Sequence, residues 1–268
     1  MTTRHNISCE ISQGVAYVRL DRPEKYNGLT LDMINELTRL SGALRREPDL
    51  RAVVMSGSGE SFCSGLDFAS ALQQPQKIVA TFLPRPWRGT NNFQEACYGW
   101  RRLPVPVIAV VHGHVYGGGL QLAMAADFRF STPDSQWSVL ETKWGLIPDM
   151  SGIRTLAEQV GMDTAKLLTM TGDVISGVEA KELGLVTVLS DDPHGEAGKL
   201  VDKLLTRSPD AVAAAKRLFS TTWTASVRRT FHRERVEQLL LLMLRNTAAA
   251  RNAAFKQETP KFIPRLVR

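Results

Sequence analysis

The sequence predicts an α/β protein, because strand-like and helix-like stretches alternate along its first half. GVAYVRL at residues 14–20 is typical of a strand, and residues 31–46 place apolar side chains on one helical stripe. RAVVMS at residues 51–56 and VPVIAVV at residues 105–111 are typical of buried strands. A strand, a helix and a strand in this order favour a parallel crossover.

Two later stretches differ in how clearly they predict structure. Residues 68–103 show no clean period and contain three prolines and two glycines, so we expect an irregular lid or pocket segment. Ser176 and Glu179 match a helix capping box, and Gly184 matches the glycine that follows a helix.

The C-terminal part of the chain has a purely helical pattern. This pattern begins at Pro209, and the composition changes near residues 195–208. We therefore predict a mixed core over residues 1–200 and a helical region over residues 201–268.

Composition indicates an ordered protein with a sizeable core. Apolar residues make up 43% of the 268 positions, yet no apolar run approaches the ~20 residues that span a bilayer. The N-terminus lacks the apolar stretch of a secretory signal. Cys9, Cys63 and Cys97 form no CxxC pair and no cluster with zinc spacing. We expect reduced thiols, a cytoplasmic location, no metal site and no membrane partner.

Positive charge is concentrated near the end of the chain. The net charge is +6, and twelve Lys or Arg stand against three Glu between Lys216 and Arg268. Such an excess can serve nucleic acid, an anionic membrane or a phosphate-bearing small molecule, and it is equally typical of a solvated helix face. Since the basic residues are not interleaved with aromatics as in an RNA-binding module, a nucleic-acid partner is not expected.

Two glycine-containing loops are the strongest candidates for a site. SFCSGLDF at residues 61–68 follows a predicted strand, and the triple glycine at 117–119 follows another strand and opens a helix. Glycines let a ligand approach the backbone, and free N–H groups at a helix start favour negative charge. Neither loop matches a nucleotide-binding glycine motif.

Together, these loops and their surroundings resemble the crotonase family, which contains the enoyl-CoA hydratases and isomerases. The resemblance covers nearly the whole chain. Beyond the two loops it includes DRP and NGL within residues 21–29, VHG at 111–113, ADFR at 126–129, GLIP at 145–148, and IS, EA and LGLV within 175–186. It implies a crotonase-like core of stacked ββα turns, forming a spiral, and C-terminal helices that assemble trimers, often paired into hexamers.

The resemblance also implies a substrate and a binding mode. The substrate is an acyl-CoA thioester, so coenzyme A enters as part of the substrate and no permanently bound cofactor is expected. The thioester oxygen is expected between the backbone N–H groups of Leu66 and Gly118. The implied CoA-binding residues are Glu24, Lys25, Tyr26 and Ser64. The CoA phosphates need cations, and the basic C-terminal segment offers Lys256, Lys261 and Arg265.

Three positions decide which proton moves. Hydratases of the family use two glutamates, which correspond to Gln121 and Glu141. Glutamine cannot exchange a proton near neutral pH, so hydration by two carboxylates is in doubt. Asp149 lies where related isomerases carry an aspartate that moves a proton, and where a dehalogenase branch carries a nucleophile. We favour an isomerase that shuttles a proton through Asp149.

Other interpretations stay open at this point. Glu141 alone could support slow hydration, and the chain could be a CoA-ester-binding protein without catalysis. Asp149 could instead cap the helix that begins near Ser151. An aromatic set could accommodate a bulky or cyclic acyl group, although such clusters are more often packing: Phe82, Trp87, Phe93 and Trp100.

Overall fold

A computed structural model of the chain describes residues 6–85 and 88–266. The strands are β1 Ile7–Ser12, β2 Val15–Leu20, β3 Ala52–Gly57, β4 Val107–Val111, β5 His114–Tyr116, β6 Phe128–Ser131, β7 Gln136–Ser138, β8 Ile175–Ser176 and β9 Val188–Leu189. The α-helices are α1 Leu31–Leu44, α2 Phe68–Leu72, α3 Pro75–Phe82, α4 Asn92–Arg101, α5 Gly118–Met124, α6 Gly152–Gln159, α7 Met162–Thr171, α8 Gly177–Glu182, α9 Pro193–Leu205, α10 Pro209–Thr222, α11 Val227–Leu242 and α12 Arg245–Lys256. Two short 3-10 helices cover Pro23–Lys25 and Leu140–Trp144.

Most of the described strands form one mixed sheet in the order β1-β2-β3-β4-β6-β9. The hairpin of β1 and β2 is antiparallel, and every later neighbour pairs in parallel. A smaller sheet of β5, β7 and β8 lies beside it. The predicted α/β class and the parallel pairing of the first two core strands are confirmed.

The sheet is buried on both faces, and its side chains alternate accordingly. In β3, Val53 and Met55 join the main core, whereas Ala52 and Val54 face the opposite side and pack towards α9. Since both faces of a parallel sheet are covered by helices, its strands read as continuous apolar runs in the sequence.

Local signals set the ends of several helices. Thr30 caps α1 by accepting a hydrogen bond from the Met33 N–H, and α1 buries the predicted apolar stripe against the sheet. Ser176 and Glu179 form the predicted capping box of α8, and Gly184 adopts φ +88° just after that helix.

The prediction of an irregular segment over residues 68–103 is wrong. Three helices occupy most of it, and they are too short to show a clear apolar period. Local caps form them instead. Asp67 caps α2, Pro75 opens α3, and Asn91 makes a reciprocal capping box with Gln94 at the start of α4.

The C-terminal region is helical, and its last residues return to the core. Helix α9 spans position 200, where the sequence places the boundary, and it packs on β4 and β6. After α12 the chain runs to the start of β3, where the Arg265 guanidinium is buried and donates to the carbonyl oxygens of Leu50 and Glu47. Among the described residues, no helix is both long and apolar enough to cross a membrane.

The close approach of the backbone at Gly113 and Glu60 can be tested directly. Its φ is +56°, and an added Cβ would lie 1.9 Å from the Glu60 carbonyl oxygen. We expect Gly113→Ala to lower the free energy of unfolding by on the order of 3 kcal/mol, because backbone must shift around the new methyl group. Denaturant unfolding measures the change.

Gly42→Ala is the matched control. Gly42 lies inside α1 with no atom within 4 Å of an added Cβ. The same exchange there should raise stability by about 1 kcal/mol, from helix propensity. Equal changes in stability at the two glycines would contradict the close approach of Gly113 to the Glu60 carbonyl.

Candidate active site

The two glycine-containing loops meet through direct backbone pairing. Cys63 donates its N–H to the His114 carbonyl, and Tyr116 donates to the Cys63 carbonyl, both at 3.0 Å. Gly65 approaches so closely that an added Cβ would lie 2.9 Å from the Tyr116 oxygen and 3.6 Å from the Gly118 nitrogen. Two loops that are distant in sequence therefore present their backbones at one point.

The Leu66 N–H points towards the Gly118 loop. Gly65 O accepts a hydrogen bond from the Leu29 N–H at 2.7 Å, so that carbonyl faces Leu29. Because the C=O and N–H of one trans peptide point in opposite directions, the Leu66 N–H faces away from Leu29. In the described part of the chain it donates to no protein acceptor.

The direction of the Gly118 N–H also follows from the geometry of a trans peptide. Gly117 O accepts from the Gln121 N–H as the first hydrogen bond of α5, so the Gly118 N–H projects out of the helix start. It too has no protein acceptor among the described residues. An added Cβ at Gly118 would lie 3.8 Å from the Leu66 nitrogen, so the two donors are neighbours.

A polar network holds the loop that carries Leu66. Arg22 Nη1 donates to Asp67 Oδ2 at 2.7 Å and to Gly28 O at 3.0 Å. Asn27 Nδ2 donates to the carbonyls of Ser58 and Ser61. The Arg-Pro, Asn-Gly and Gly-x-Asp stretches of the sequence therefore form one interlocked support.

The two donors open into a cavity of about 540 Å³, within the usual size range of small-molecule pockets. Its walls are mostly apolar, and Gln121, Glu141 and Asp149 bring polar side chains to it. The apolar part of the wall comes from Leu66, Phe68, Ala71, Leu72, Ile78, Phe82, Phe93, Leu140, Trp144, Leu146, Ile147 and Met150.

Both carboxyl groups in this cavity have raised pKa values. Burial raises the pKa of Glu141, and the nearby Asp149 charge adds to the effect. Burial also raises the pKa of Asp149, partly offset by its own backbone N–H. Glu141 Oε2 is buried and has no hydrogen-bond partner among the described residues. Carboxyl groups with raised pKa values beside free donors are suited to proton transfer.

The Gln121 amide makes three hydrogen bonds to the protein. Its Oε1 accepts hydrogen bonds from the Met150 and Gly152 N–H groups, both at 2.8 Å. Its Nε2 donates to Glu141 Oε1 at 2.6 Å. The interpretation of Asp149 as a helix cap is wrong, because α6 has no side-chain cap from it and the Gln121 oxygen takes the Gly152 N–H.

Comparisons with known proteins show the family of the chain. The family model for Enoyl-CoA hydratase/isomerase matches residues 10–261. The chain belongs to the enoyl-CoA hydratase/isomerase family. It is 30% identical over 213 residues to an (E)-benzylidenesuccinyl-CoA hydratase of Thauera aromatica, covering 78% of this chain and 80% of the relative.

Two further members of the family differ in their named reactions. The chain is 32% identical to a peroxisomal Delta(3,5)-Delta(2,4)-dienoyl-CoA isomerase of Arabidopsis thaliana, covering 65% of this chain and 64% of the relative. The crystal structure of an enoyl-CoA hydratase from Bacillus anthracis superposes with a TM-score of 0.86 at 26% identity, covering 96% of this chain and 99% of that one. The chain therefore belongs to a family of enzymes, and an acyl-CoA thioester substrate fits that family.

The residues expected at the CoA end of this family's site fall into two groups. Glu24, Lys25 and Tyr26 lie in and after the first 3-10 helix, and Ser64, which lines the cavity, donates its N–H to Tyr26 O. Of these four residues, Ser64 lines the cavity and Tyr26 is bonded to it.

The expected C-terminal cations lie elsewhere in the same chain. Lys256 and Lys261 are exposed and outside the cavity lining, and the residue after Lys261 packs against Arg51 at the start of β3. The suggestion that Arg265 meets CoA phosphates is wrong, because its guanidinium is buried on backbone carbonyls.

Of the aromatic residues expected near the acyl group, some line the cavity and one lies in the core. Phe82 and Phe93 line the cavity with ring centroids 4.8 Å apart, and Phe68 and Trp144 form a second pair at 5.4 Å. Trp100 is buried in the core, with its Nε1 donating to Ala96 O, so it serves packing. Trp87 lies outside the described residues.

The sequence did not reveal how the backbone that follows Asp149 is fixed. Ser151 adopts φ +75°, and the Met150 and Gly152 N–H groups on either side of it converge on the Gln121 oxygen. Such a backbone nest binds an oxygen atom. No motif marks it, because a serine in a left-handed conformation has no signature in one sequence.

Proposed function

We propose that this protein is an acyl-CoA isomerase that shifts a double bond by proton transfer. The thioester oxygen binds between the Leu66 and Gly118 N–H groups, and the Asp149 carboxylate moves the proton. The observation that carries this proposal is the occupied Gln121 amide. It already makes three hydrogen bonds and cannot exchange a proton, so it leaves Glu141 and Asp149 as the proton carriers beside the two free donors.

The two backbone donors supply the electrostatic part of catalysis. Removing a proton from a carbon next to the thioester moves negative charge onto the thioester oxygen. Donors that are already oriented stabilise this charge without reorganisation, and losing one such donor typically costs ~10²–10³ in rate. The interlocked support around Arg22 and Asp67 keeps the Leu66 N–H oriented.

In this scheme Asp149 both removes and returns the proton. Its carboxylate accepts the proton from one carbon, the electrons move through the enolate, and the same proton returns to the carbon at the other end of the conjugated system. A carboxyl group whose pKa is raised by burial is a better match for a carbon acid than an ordinary aspartate. The reaction moves one proton within the substrate and adds or removes no other atom.

A second candidate is water addition by Glu141 alone. The observation that favours it is Glu141 Oε2, which is buried without a partner among the described residues and could hold a water molecule. The curated relative from Thauera aromatica is named a hydratase, and the one from Arabidopsis thaliana an isomerase, so family membership supports both reactions.

Replacing Asp149 tests the main proposal. Asp149→Asn should reduce kcat for isomerisation by at least ~10²–10⁴-fold, because the proton carrier is lost, while the Kd for an acyl-CoA stays close to wild type. Asp173→Asn is the matched control, since Asp173 is exposed and does not line the cavity. Steady-state rates and calorimetric binding report the two quantities.

The pH profile and isotope labels complete this test. Because the pKa of Asp149 is raised, the base form disappears as pH falls through a value above the ordinary ~4 of an aspartate, and kcat should fall with it. In heavy-oxygen water the isomer should carry no label. A wild-type rate in Asp149→Asn, or heavy oxygen in the product, would contradict the isomerase proposal, and the label would favour hydration.

We extend the proposal to a homotrimer or a dimer of trimers. Large apolar side chains on the C-terminal helices are exposed in the single chain, as a contact between copies requires. They include Phe219, Trp223, Phe231, Leu239, Leu242, Met243 and Phe255. Light scattering should give three or six times the chain mass, and a monomer at micromolar concentration would contradict this extension.

A further inference from the structure

A second cavity, which shares no lining residue with the acyl cavity, lies between α1, α4 and α10. Its volume is about 510 Å³. Seven cationic side chains line it: Arg45 and Arg46 after α1, Arg88 before α4, Arg101 and Arg102 at the end of α4, and Lys216 and Arg217 in α10. We call it the arginine cavity. Among its lining residues only Glu95 is acidic.

The charge of this cavity is not cancelled by its ion pairs. Glu95 binds Arg88 and Arg102, and Asp127, Glu158 and Glu237 pair with Lys216, Arg101 and Arg217 respectively. In the described ranges, Arg45 and Arg46 have no carboxylate partner, and Arg88 and Arg102 share Glu95. Glu158 and Glu237 are in addition shared with Arg154 and Arg233, which lie outside the lining.

Two of the cations are free to bind a ligand. In the ranges that the structure describes, the Arg45 and Arg46 side chains make no hydrogen bond or ion pair, and both are exposed at the cavity. The Arg101 Nε is buried and also lacks a hydrogen-bond partner there. Unpaired guanidinium groups present several N–H donors in a planar fork that matches phosphate oxygens.

Helix dipoles do not explain the whole cluster. Cations at the last turns of α1 and α4 are favourable by themselves. Lys216 and Arg217, however, lie in the middle of α10 and face the same cavity. Lys216 Nζ is fixed by Asp127 at 2.6 Å and by the carbonyls of Val105 and Trp100. The cluster is therefore assembled from three helices around a rigid base.

We propose that the arginine cavity binds a small molecule bearing a di- or triphosphate group. The excess of positive charge in its lining suits the negative charge of such a group, and the cavity has the size of a small-molecule site. Its concave shape between three helices suits a compact anion better than an extended nucleic-acid strand. The site is independent of the proposed isomerase reaction.

Titration calorimetry with ADP and with inorganic tripolyphosphate tests this proposal on the full-length protein. Both probes should bind at one site per chain, and they should still bind when the acyl cavity is saturated with CoA. Tripolyphosphate has no adenine, so its binding distinguishes a phosphate site from the nucleotide end of the CoA site. Displacement of both probes by CoA would overturn a separate site.

Arg45→Gln/Arg46→Gln supplies the decisive variant. It should weaken both probes by about a hundredfold, since each lost charge-assisted hydrogen bond costs about tenfold or more. Arg228→Gln/Arg229→Gln is the matched control, because it also removes two adjacent exposed arginines but on α11. The control should bind both probes like the wild type.

Thermal unfolding separates loss of the site from loss of the fold. ADP should raise the unfolding midpoint of the wild type and of the control pair but not that of the Arg45/Arg46 pair, while all three proteins unfold cooperatively. No saturable binding to the wild type, or wild-type affinity in the Arg45/Arg46 pair, would overturn the proposal.

Discussion

The close approach of two backbone segments is the constraint on which the proposed site depends. At Gly119 an added Cβ would lie 2.4 Å from the Cys63 carbonyl oxygen, and at Gly65 it would lie 2.9 Å from the Tyr116 oxygen. Any side chain at these positions would separate the loops. The Leu66 and Gly118 N–H groups would then no longer face one point, and a single oxygen could not accept from both.

Most polar groups around the cavity have a supporting role that can be read from their hydrogen bonds. Arg22, Asn27 and Asp67 hold the loop before α2, and none of them lines the cavity. Gln121 links α5 to the N–H groups of Met150 and Gly152, and so it holds the backbone that follows Asp149. The acyl cavity thus combines few proton-carrying groups with an extensive frame.

The sequence predicted those parts of the molecule whose causes are local. The apolar stripe of α1, the capping box at Ser176 and the two glycine loops all depend on neighbouring residues, and the structure has them where they were expected. The family resemblance added the pairing of Leu66 with Gly118. Composition showed an excess of Lys and Arg between Lys216 and Arg268, but it could not distinguish a phosphate site from a solvated helix face.

The remaining features depend on contacts between distant residues. The short helices over 68–103 begin at local caps, but they also pack on one another and on α1, and periodicity cannot report those contacts. Asp149 looked like a helix cap because the Gln121 oxygen, 31 residues away from Gly152, could not be placed at that helix start. Arg265 looked like a phosphate ligand because its acceptors, Leu50 and Glu47, lie at the other end of the chain.

The central claim is that two backbone donors bind the thioester oxygen. A crystal structure with a saturated acyl-CoA, which binds but cannot isomerise, tests it most directly. The account predicts a thioester oxygen at about 2.7–3.1 Å from both the Leu66 and Gly118 nitrogens, with the Asp149 carboxylate facing the acyl carbons. A thioester oxygen bound to neither nitrogen, with the acyl chain outside the cavity, would contradict it.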